Sequence, residues 1–321
     1  MNPFDAVLIV SFGGPGGPED VRPFLANVLR GRRVTPERIE DVVHHYERFG
    51  GKSPLTEMTM KQARGLEQRL AAQGIALPVY VGMRNWHPLL ADTVRMMAQD
   101  GIKRAIGLIL APHRSFSSCT QYRQNVIDAR AQAATAGLSD VGVTYVGDWH
   151  RHPKFIETIQ RHVRAALDRL PADARTGARL VFTAHSVPVS MAGAARYEQQ
   201  INETARLVAA AVGSSDWTVV FQSRSGRPED PWLGPDVCEY LRGAAGRVPG
   251  VVLVPIGFVC DHIEVLYDLD HEAAEVCREV GLPMARAETV NDDPLFLDMT
   301  ADVVFDLIQR YRSGRPLPIV P

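Results

Sequence analysis

Residues 6–20, AVLIVSFGGPGGPED, decide how this chain folds. The run 6–10 is apolar at odd and even positions alike, so a strand there must be covered on both faces. A glycine turn follows at once. Pro18-Glu19-Asp20 then has the composition of a helix start, with proline at the first position and acids in the first turn. A doubly buried strand handed directly to a helix begins a parallel α/β sheet. The turn does not fit the usual phosphate loops. No Lys-Ser/Thr pair completes a Walker A motif, and Glu19 stands at the last glycine position of G-x-G-x-x-G. Without a basic residue it is also a poor anion cradle. Two readings stay open: a tight turn before a helix, or a backbone brought close to a flat ligand, which glycine permits. No basic region precedes the apolar run, so it reads as a strand and not as a secretion signal.

Working outward, strand-like runs recur at 79–83, 105–110, 141–146, 179–184, 218–222, 251–258 and 284–287. Amphipathic stretches separate them at 58–72, 89–99, 121–134, 154–170, 197–212, 236–245, 263–279 and 294–312. This alternation predicts right-handed crossovers and parallel sheets. The pattern is doubled. The runs 6–11 and 179–184 lead into turns, while 105–110 and 251–258 are each followed closely by a histidine. The expectation is an α/β protein of two similar Rossmann-like lobes. The stretch RLPADARTG, 169–177, looks like a surface connection, so the lobes are placed at 1–170 and 171–321, with the helix 294–312 returning to the first lobe. Ligands of such sheets sit at the carboxyl ends of the strands.

Composition narrows the function. The chain has 321 residues, a net charge of −2 and 45% hydrophobic residues, which fits a globular protein with a substantial core. That charge argues against nucleic acid as a partner. The longest apolar run, 251–260, is about half of what a bilayer crossing requires, so no transmembrane segment is expected. Four cysteines form no CxxC, which predicts reduced thiols in a cytoplasmic protein and neither a zinc nor a redox motif.

Against this neutral background, DHIEVLYDLDHEAAE, 261–275, carries six carboxylates and two histidines with no Lys or Arg. On an α-helix, at about 100° per residue, Glu264, Asp268, His271 and Glu275 share one side, with Glu272 beside them. Such a face usually meets water. Here it starts directly after an apolar strand, where ligands bind, and oxygen and imidazole donors in a row suit a divalent cation held in weak, exchangeable steps. FTAHSVP, 182–188, places His185 at a strand end, as a structural residue or as a proton acceptor near neutral pH. The basic and hydroxyl stretches LRGRR, 29–33, and HHYERFGGKSPL, 44–55, would suit carboxylate recognition. QSRSGRPEDPWLGPDV, 222–237, reads as a long ordered loop that could wall a pocket.

Seven stretches, LIVSFGGPGGPEDV, FGGKSPL, YVGMRNWHP, LAPHRS, FTAHSVP, DPWLGPDV and PIGFVCDHIEVLYDLD, together resemble the ferrochelatases, in the right order from about residue 6 to 300. They look most like the soluble bacterial type that acts on coproporphyrin III. The resemblance implies a class II chelatase-like fold with a porphyrin cleft between the lobes. It implies insertion of Fe2+, as substrate, with release of two protons in heme biosynthesis, and no organic cofactor. By motif, His185 matches a proton-accepting or iron-ligating histidine. Glu264 matches the carboxylate facing it across the ring, and Asp268 and Glu272 match an acidic relay that passes metal or protons. Arg30, Tyr46, Ser53 and Tyr122 match propionate-binding positions, and His113 a pocket position. Phe12 stands where some relatives carry an iron-ligating tyrosine, and His45 replaces an arginine. The last cysteine is Cys277, so no 2Fe–2S cluster is expected. A coproheme decarboxylase is the implied recipient of product. Protoporphyrin IX as substrate, a cobalt or nickel tetrapyrrole chelatase, and a non-catalytic tetrapyrrole or metal chaperone are the alternatives.

Overall fold

The computed structural model describes residues 2–31, 34–191, 193–225 and 229–317, and of residues 117 and 118 the backbone alone. Arg32 and Arg33 of the basic stretch, and residues 226–228 of the 222–237 stretch, lie outside the described residues.

The chain divides into two compact units. The first comprises Met1–Leu110, Ser117–Gly147 and Leu297–Pro321, and the second Ala111–Phe116 and Asp148–Phe296. In order come β1 (Ala6–Ser11), α1 (Pro18–Val28), α2 (Pro36–Glu47), α3 (Leu55–Ala72), β2 (Val79–Met83), α4 (Leu90–Gln99) and β3 (Arg104–Ile109). A π-helical turn at Phe116–Thr120 leads into α5 (Gln121–Thr135), followed by β4 (Gly142–Tyr145). The four strands form a parallel sheet in the order β2-β1-β3-β4. All six residues of β1 are buried, as its unbroken apolar pattern requires. α2 is a helix where only a basic and hydroxyl cluster was anticipated. Thr35 caps it by accepting from the Arg38 N–H, Pro36 opens it, and Val43 is the one residue it buries fully, so its apolar stripe is thin.

The second stretch runs α6 (Pro153–Arg169), α7 (Ala172–Arg175), β5 (Arg179–His185), α8 (Ala194–Val212), β6 (Trp217–Gln222), α9 (Val237–Ala244) and β7 (Val251–Val254). Then come α10 (Ile263–Val265), a π-helical segment (Leu266–Ala273), α11 (Ala274–Glu279), β8 (Met284–Arg286) and α12 (Pro294–Arg312). The strands again make a parallel sheet, ordered β6-β5-β7-β8. Counted within each unit, both sheets have the order 2-1-3-4, so the doubling read from the sequence is a repeat of topology.

Two boundaries differ most from expectation. β7 stops at Val254 instead of running to 258, because Pro255 has no N–H for the ladder. The division between units falls at 147/148 and not near 170, because α6 packs on α8, β7 and β8. From Leu297 on, α12 belongs to the first unit. Its Leu297 side chain fills the space beside Gly65 of α3, where a Cβ would come within 2.5 Å, and Arg69 donates to Asp298 at 2.5 Å.

The second unit has helices on both faces of its sheet. α6 and α8 cover one face, and α9, the π-helical segment and α11 cover the other. Leu241, Leu253, Val265 and Leu269 are wholly buried in that second layer. Each such side chain contributes about 1.5–3 kcal/mol on burial. In this strand order the connections leave β5 and β7 toward opposite faces, and the switch point between their carboxyl ends is where α/β sheets open a crevice.

Candidate functional site

β5 ends on His185 and β6 on Gln222, paired in register. Gln222 is buried with every amide group engaged. Thr183 Oγ1 donates to its Oε1 at 2.8 Å, and its Nε2 donates to the Glu264 carbonyl and to Asp268 Oδ2, both at 3.2 Å. That saturation fixes the amide's orientation. Gln222 thereby joins the strand end carrying His185 to the acidic helix. The next residue, Ser223, has φ 60, a left-handed conformation uncommon outside glycine, and its hydroxyl donates to Asp268. Such a residue persists only where its surroundings over-determine it.

His185 is half-buried, with Nδ1 facing the Ser186 carbonyl. A ring nitrogen facing a carbonyl must carry the hydrogen, so Nε2 presents the lone pair. Tyr197 of α8 donates its hydroxyl to the His185 carbonyl at 3.0 Å. Burial, then the Glu264 charge, raises the Tyr197 phenol's pKa and keeps it neutral. His262 sits in the field of both candidate residues. Burial depresses its pKa most; Glu264 and Asp261 oppose that, and His185 adds to it. Its Nδ1 accepts the Glu264 N–H at 3.2 Å and so caps α10. His185 and Glu264 thus share two neighbours, His262 and Tyr197, at the switch point of one sheet.

Gly257 makes this possible. Its N–H donates to the Thr183 carbonyl at 3.1 Å, and a Cβ there would lie 2.7 Å from Ala184 Cα. The loop after β7 therefore lies directly on the end of β5. Gly257→Ala is expected to push that loop off His185, costing about 1–3 kcal/mol of stability. A lowered Tm with turnover falling further than the melt accounts for would bear this out; an unchanged Tm and turnover would not.

The acidic helix differs from the α-helix assumed for it. Its middle, Leu266–Ala273, is π-helical, with i→i+5 bonding and more than four residues per turn. A spacing of four is close to one full turn in either geometry, so Glu264, Asp268 and Glu272 stay aligned, whereas His271 and Glu275 lose the alignment that α geometry would give them. The charges are also partnered from elsewhere. Arg286, on β8, donates to Asp261 at 2.8 Å and to both oxygens of Asp270 at 2.6 and 2.7 Å. His271 meets Glu275 at 3.3 Å, and Arg278 meets it at 3.7 Å. Asp268 is half-buried; burial pushes its carboxyl up to about 7, the Ser223 hydrogen bond works against this, and the Glu264 charge adds to it. Glu272 is exposed. Among the described residues no three His, Cys, Asp or Glu side chains form a group that could hold a metal ion.

The candidates of the first unit form a separate constellation. Phe12, Phe24, Tyr46 and Trp86 make an aromatic cluster in which Phe24 meets the other three rings edge-on at 6.2, 5.8 and 6.3 Å. Arg30 is exposed, and its Nη2 donates to Asn27 Oδ1 at 2.8 Å. Ser53 is buried against Gly14, where a Cβ would come within 2.6 Å of its own, and its N–H donates to the Pro15 carbonyl. The glycines of the first loop here admit the protein's own side chains. Tyr122 is buried on the first turn of α5.

His113 belongs to the second unit and is 2% exposed. Burial depresses its imidazole to about 3, its Nε2 is 2.9 Å from Thr204 Oγ1, and its ring meets that of Tyr197 edge-on. It touches the site through Tyr197. Gln222, Ser223, Tyr197 and Arg286 were not singled out from the sequence, and His262 was noticed only for its position after a strand. The one available signal was two polar residues, Gln222 and Ser223, closing an apolar strand.

A family model described as ferrochelatase matches residues 4–307. The chain is similar to a ferrochelatase of Rhodopirellula baltica, 46% identical over 307 residues, covering 95% of this chain and 86% of the relative. It is similar to a coproporphyrin III ferrochelatase of Nocardia farcinica, 46% identical over 319 residues, covering 97% and 89%. Among solved structures, the sirohydrochlorin chelatase SirB of Bacillus subtilis subspecies spizizenii in complex with cobalt aligns with a TM-score of 0.58 over 97% of each chain, at 10% identity, a likeness of fold.

Proposed function

The chain belongs to the ferrochelatase family, and from that premise we propose that it inserts ferrous iron into coproporphyrin III, yielding coproheme and two protons in heme biosynthesis. The observation that carries the substrate is the similarity, along almost the whole chain, to coproporphyrin III ferrochelatases. Iron and porphyrin are both substrates here.

A planar porphyrin keeps its nitrogen lone pairs and N–H groups in the ring plane. A site complementary to a bent ring exposes them and lowers the barrier. In our reading His185 Nε2 accepts a pyrrole proton, consistent with its lone pair, and Glu264 is the carboxylate nearest the metal. Asp268, with a carboxyl near 7, is suited to take and release protons at neutral pH, and Glu272 continues the row outward. In the first unit, Arg30, Tyr46, Ser53 and Tyr122 are proposed to hold the ring's carboxylates and Phe12 to contact its face. His113 would act through Tyr197. These assignments rest on the family's motifs. No helix among the described residues is long and apolar enough to cross a membrane. We place the enzyme in the cytoplasm, without a 2Fe–2S cluster, delivering coproheme to a decarboxylase.

The test is anaerobic: Fe2+ is added to enzyme with coproporphyrin III or protoporphyrin IX, and loss of free-base fluorescence is followed. Coproporphyrin III is expected to be preferred by about tenfold or more in kcat/KM, a range that polar recognition readily supplies. Preference for protoporphyrin IX would overturn the substrate. Loss of emission that stops at one equivalent per protein would favour a chaperone, and turnover with cobalt or nickel alone would overturn the metal.

A further inference from the structure

Arg286, on β8, is a heavily engaged cation among the described residues of the second unit. Its side chain is 12% exposed. Nε and Nη2 grip Asp270 at both oxygens, while Nη1 donates to Asp261 at 2.8 Å and to the Ala287 carbonyl at 3.2 Å. Burial opposes its charge, but the two carboxylates outweigh burial and raise its pKa. Asp261 is tied further. Its Oδ1 accepts the Thr289 N–H at 3.2 Å and its Oδ2 accepts from Asn291 Nδ2 at 2.9 Å. The Asp261 N–H returns a bond to Asn291 Oδ1 at 3.0 Å, and Asn291 adopts φ 43 to do this. Asp261 immediately precedes His262, whose ring caps the Glu264 N–H.

Two carboxylates that converge on one guanidinium also converge on each other. Without the guanidinium they are a hard-oxygen pair of the kind that holds divalent cations. Asp261 lies three residues before Glu264, and Asp270 lies six residues after it on the same helical stretch. We propose that Arg286 is a positioning residue with two tasks: it fills the point between Asp261 and Asp270 that a divalent cation would otherwise occupy, and through Asp261 it holds the turn that carries His262 and Glu264. The consequence for the reaction, which rests on the iron-insertion reading above, is that incoming metal is directed to Glu264 and not to a dead-end pair beside it.

Arg286→Gln tests both tasks. Mn2+ binding to the porphyrin-free protein, read by electron paramagnetic resonance, should show one additional site relative to wild type. Metal insertion should fall by about 10–100-fold, the usual effect of losing a residue that orients a metal-binding group. Inhibition should also appear at high metal concentration. Adding Asp270→Asn in the same chain should abolish the additional Mn2+ site and the inhibition while turnover stays low. Asp270→Asn alone should bind Mn2+ as wild type does. A merely structural Arg286 would lose activity in step with Tm and gain no Mn2+ site, and that result overturns the proposal. If Arg286→Gln does not fold, Arg286→Lys decides. A single ammonium cannot hold both carboxylates as the fork does, so a weaker additional Mn2+ site is expected, again removed by Asp270→Asn; no additional site overturns the proposal. Wild-type enzyme that inserts no metal would refute the functional reading and leave the Mn2+ experiment intact.

Discussion

His185→Ala is expected to reduce iron insertion by about 10²–10⁴-fold, the range that a well-placed general base contributes. The reasoning starts from the ring's orientation. The Ser186 carbonyl takes the Nδ1 hydrogen, so Nε2 is the nitrogen able to accept a proton or touch iron. Tyr197 holds the His185 backbone from α8, and the parallel ladder holds it from β6. Little of this depends on the imidazole. Its loss removes one hydrogen bond to a neighbouring carbonyl, worth about 1 kcal/mol, so the variant should fold with a nearly unchanged Tm. Porphyrin affinity, followed by fluorescence without metal, should change little, because the imidazole is proposed to act on the ring's protons and not on its carboxylates. Partial rescue by added imidazole would identify the missing group as the base. A folded His185→Ala protein with wild-type turnover would remove His185 from the chemistry, while the family assignment would stand.

Much of the scaffold was legible because burial imposes a simple pattern. β1 and β2 fall where the apolar runs put them, since a strand covered on both faces has few residues to spend on anything else. α2 was missed because a helix that fully buries only Val43 shows little periodicity. The switch-point location of His185 and Glu264 followed from the rule for parallel sheets. Their support did not, because it comes from residues remote in sequence. Gln222, forty-two positions before Glu264, holds that residue's carbonyl, and nothing local to the helix announces it. The imbalance of charge in 261–275 is the clearest case. The sequence shows six acids and no Lys or Arg; the chain supplies Arg286 from the next strand for two of them. The π-helical segment was equally hidden, since a switch from i→i+4 to i→i+5 leaves no compositional mark.

Asp268→Asn should change stability and activity in opposite directions. The Asp268 carboxyl is raised from 3.8 to about 7, with burial as the leading cause. Between those values the folded protein binds more protons at this site than the unfolded chain does. Stability must therefore fall as pH rises through that window. The penalty is absent below pH 3.8 and complete above about 7. Asparagine carries no charge and removes it; at roughly 1.4 kcal/mol per pKa unit the full shift would be worth about 4 kcal/mol, and solvent reaching this half-buried group lowers the expected gain of metal-free Asp268→Asn over wild type at pH 8 to about 1–3 kcal/mol. That advantage should shrink toward zero near pH 4. Its amide can still accept from Gln222 and Ser223, so those contacts are largely kept. Turnover should nonetheless fall by about 10–100-fold, as proteins often hold destabilising groups where the chemistry needs them. Urea melts in EDTA across pH 4–8, beside steady-state assays at pH 7, would measure both effects. An Asp268→Asn protein whose stability tracks wild type at every pH would mean that this carboxylate is solvated in the folded state, and the proton-carrying role proposed for it would go with that result.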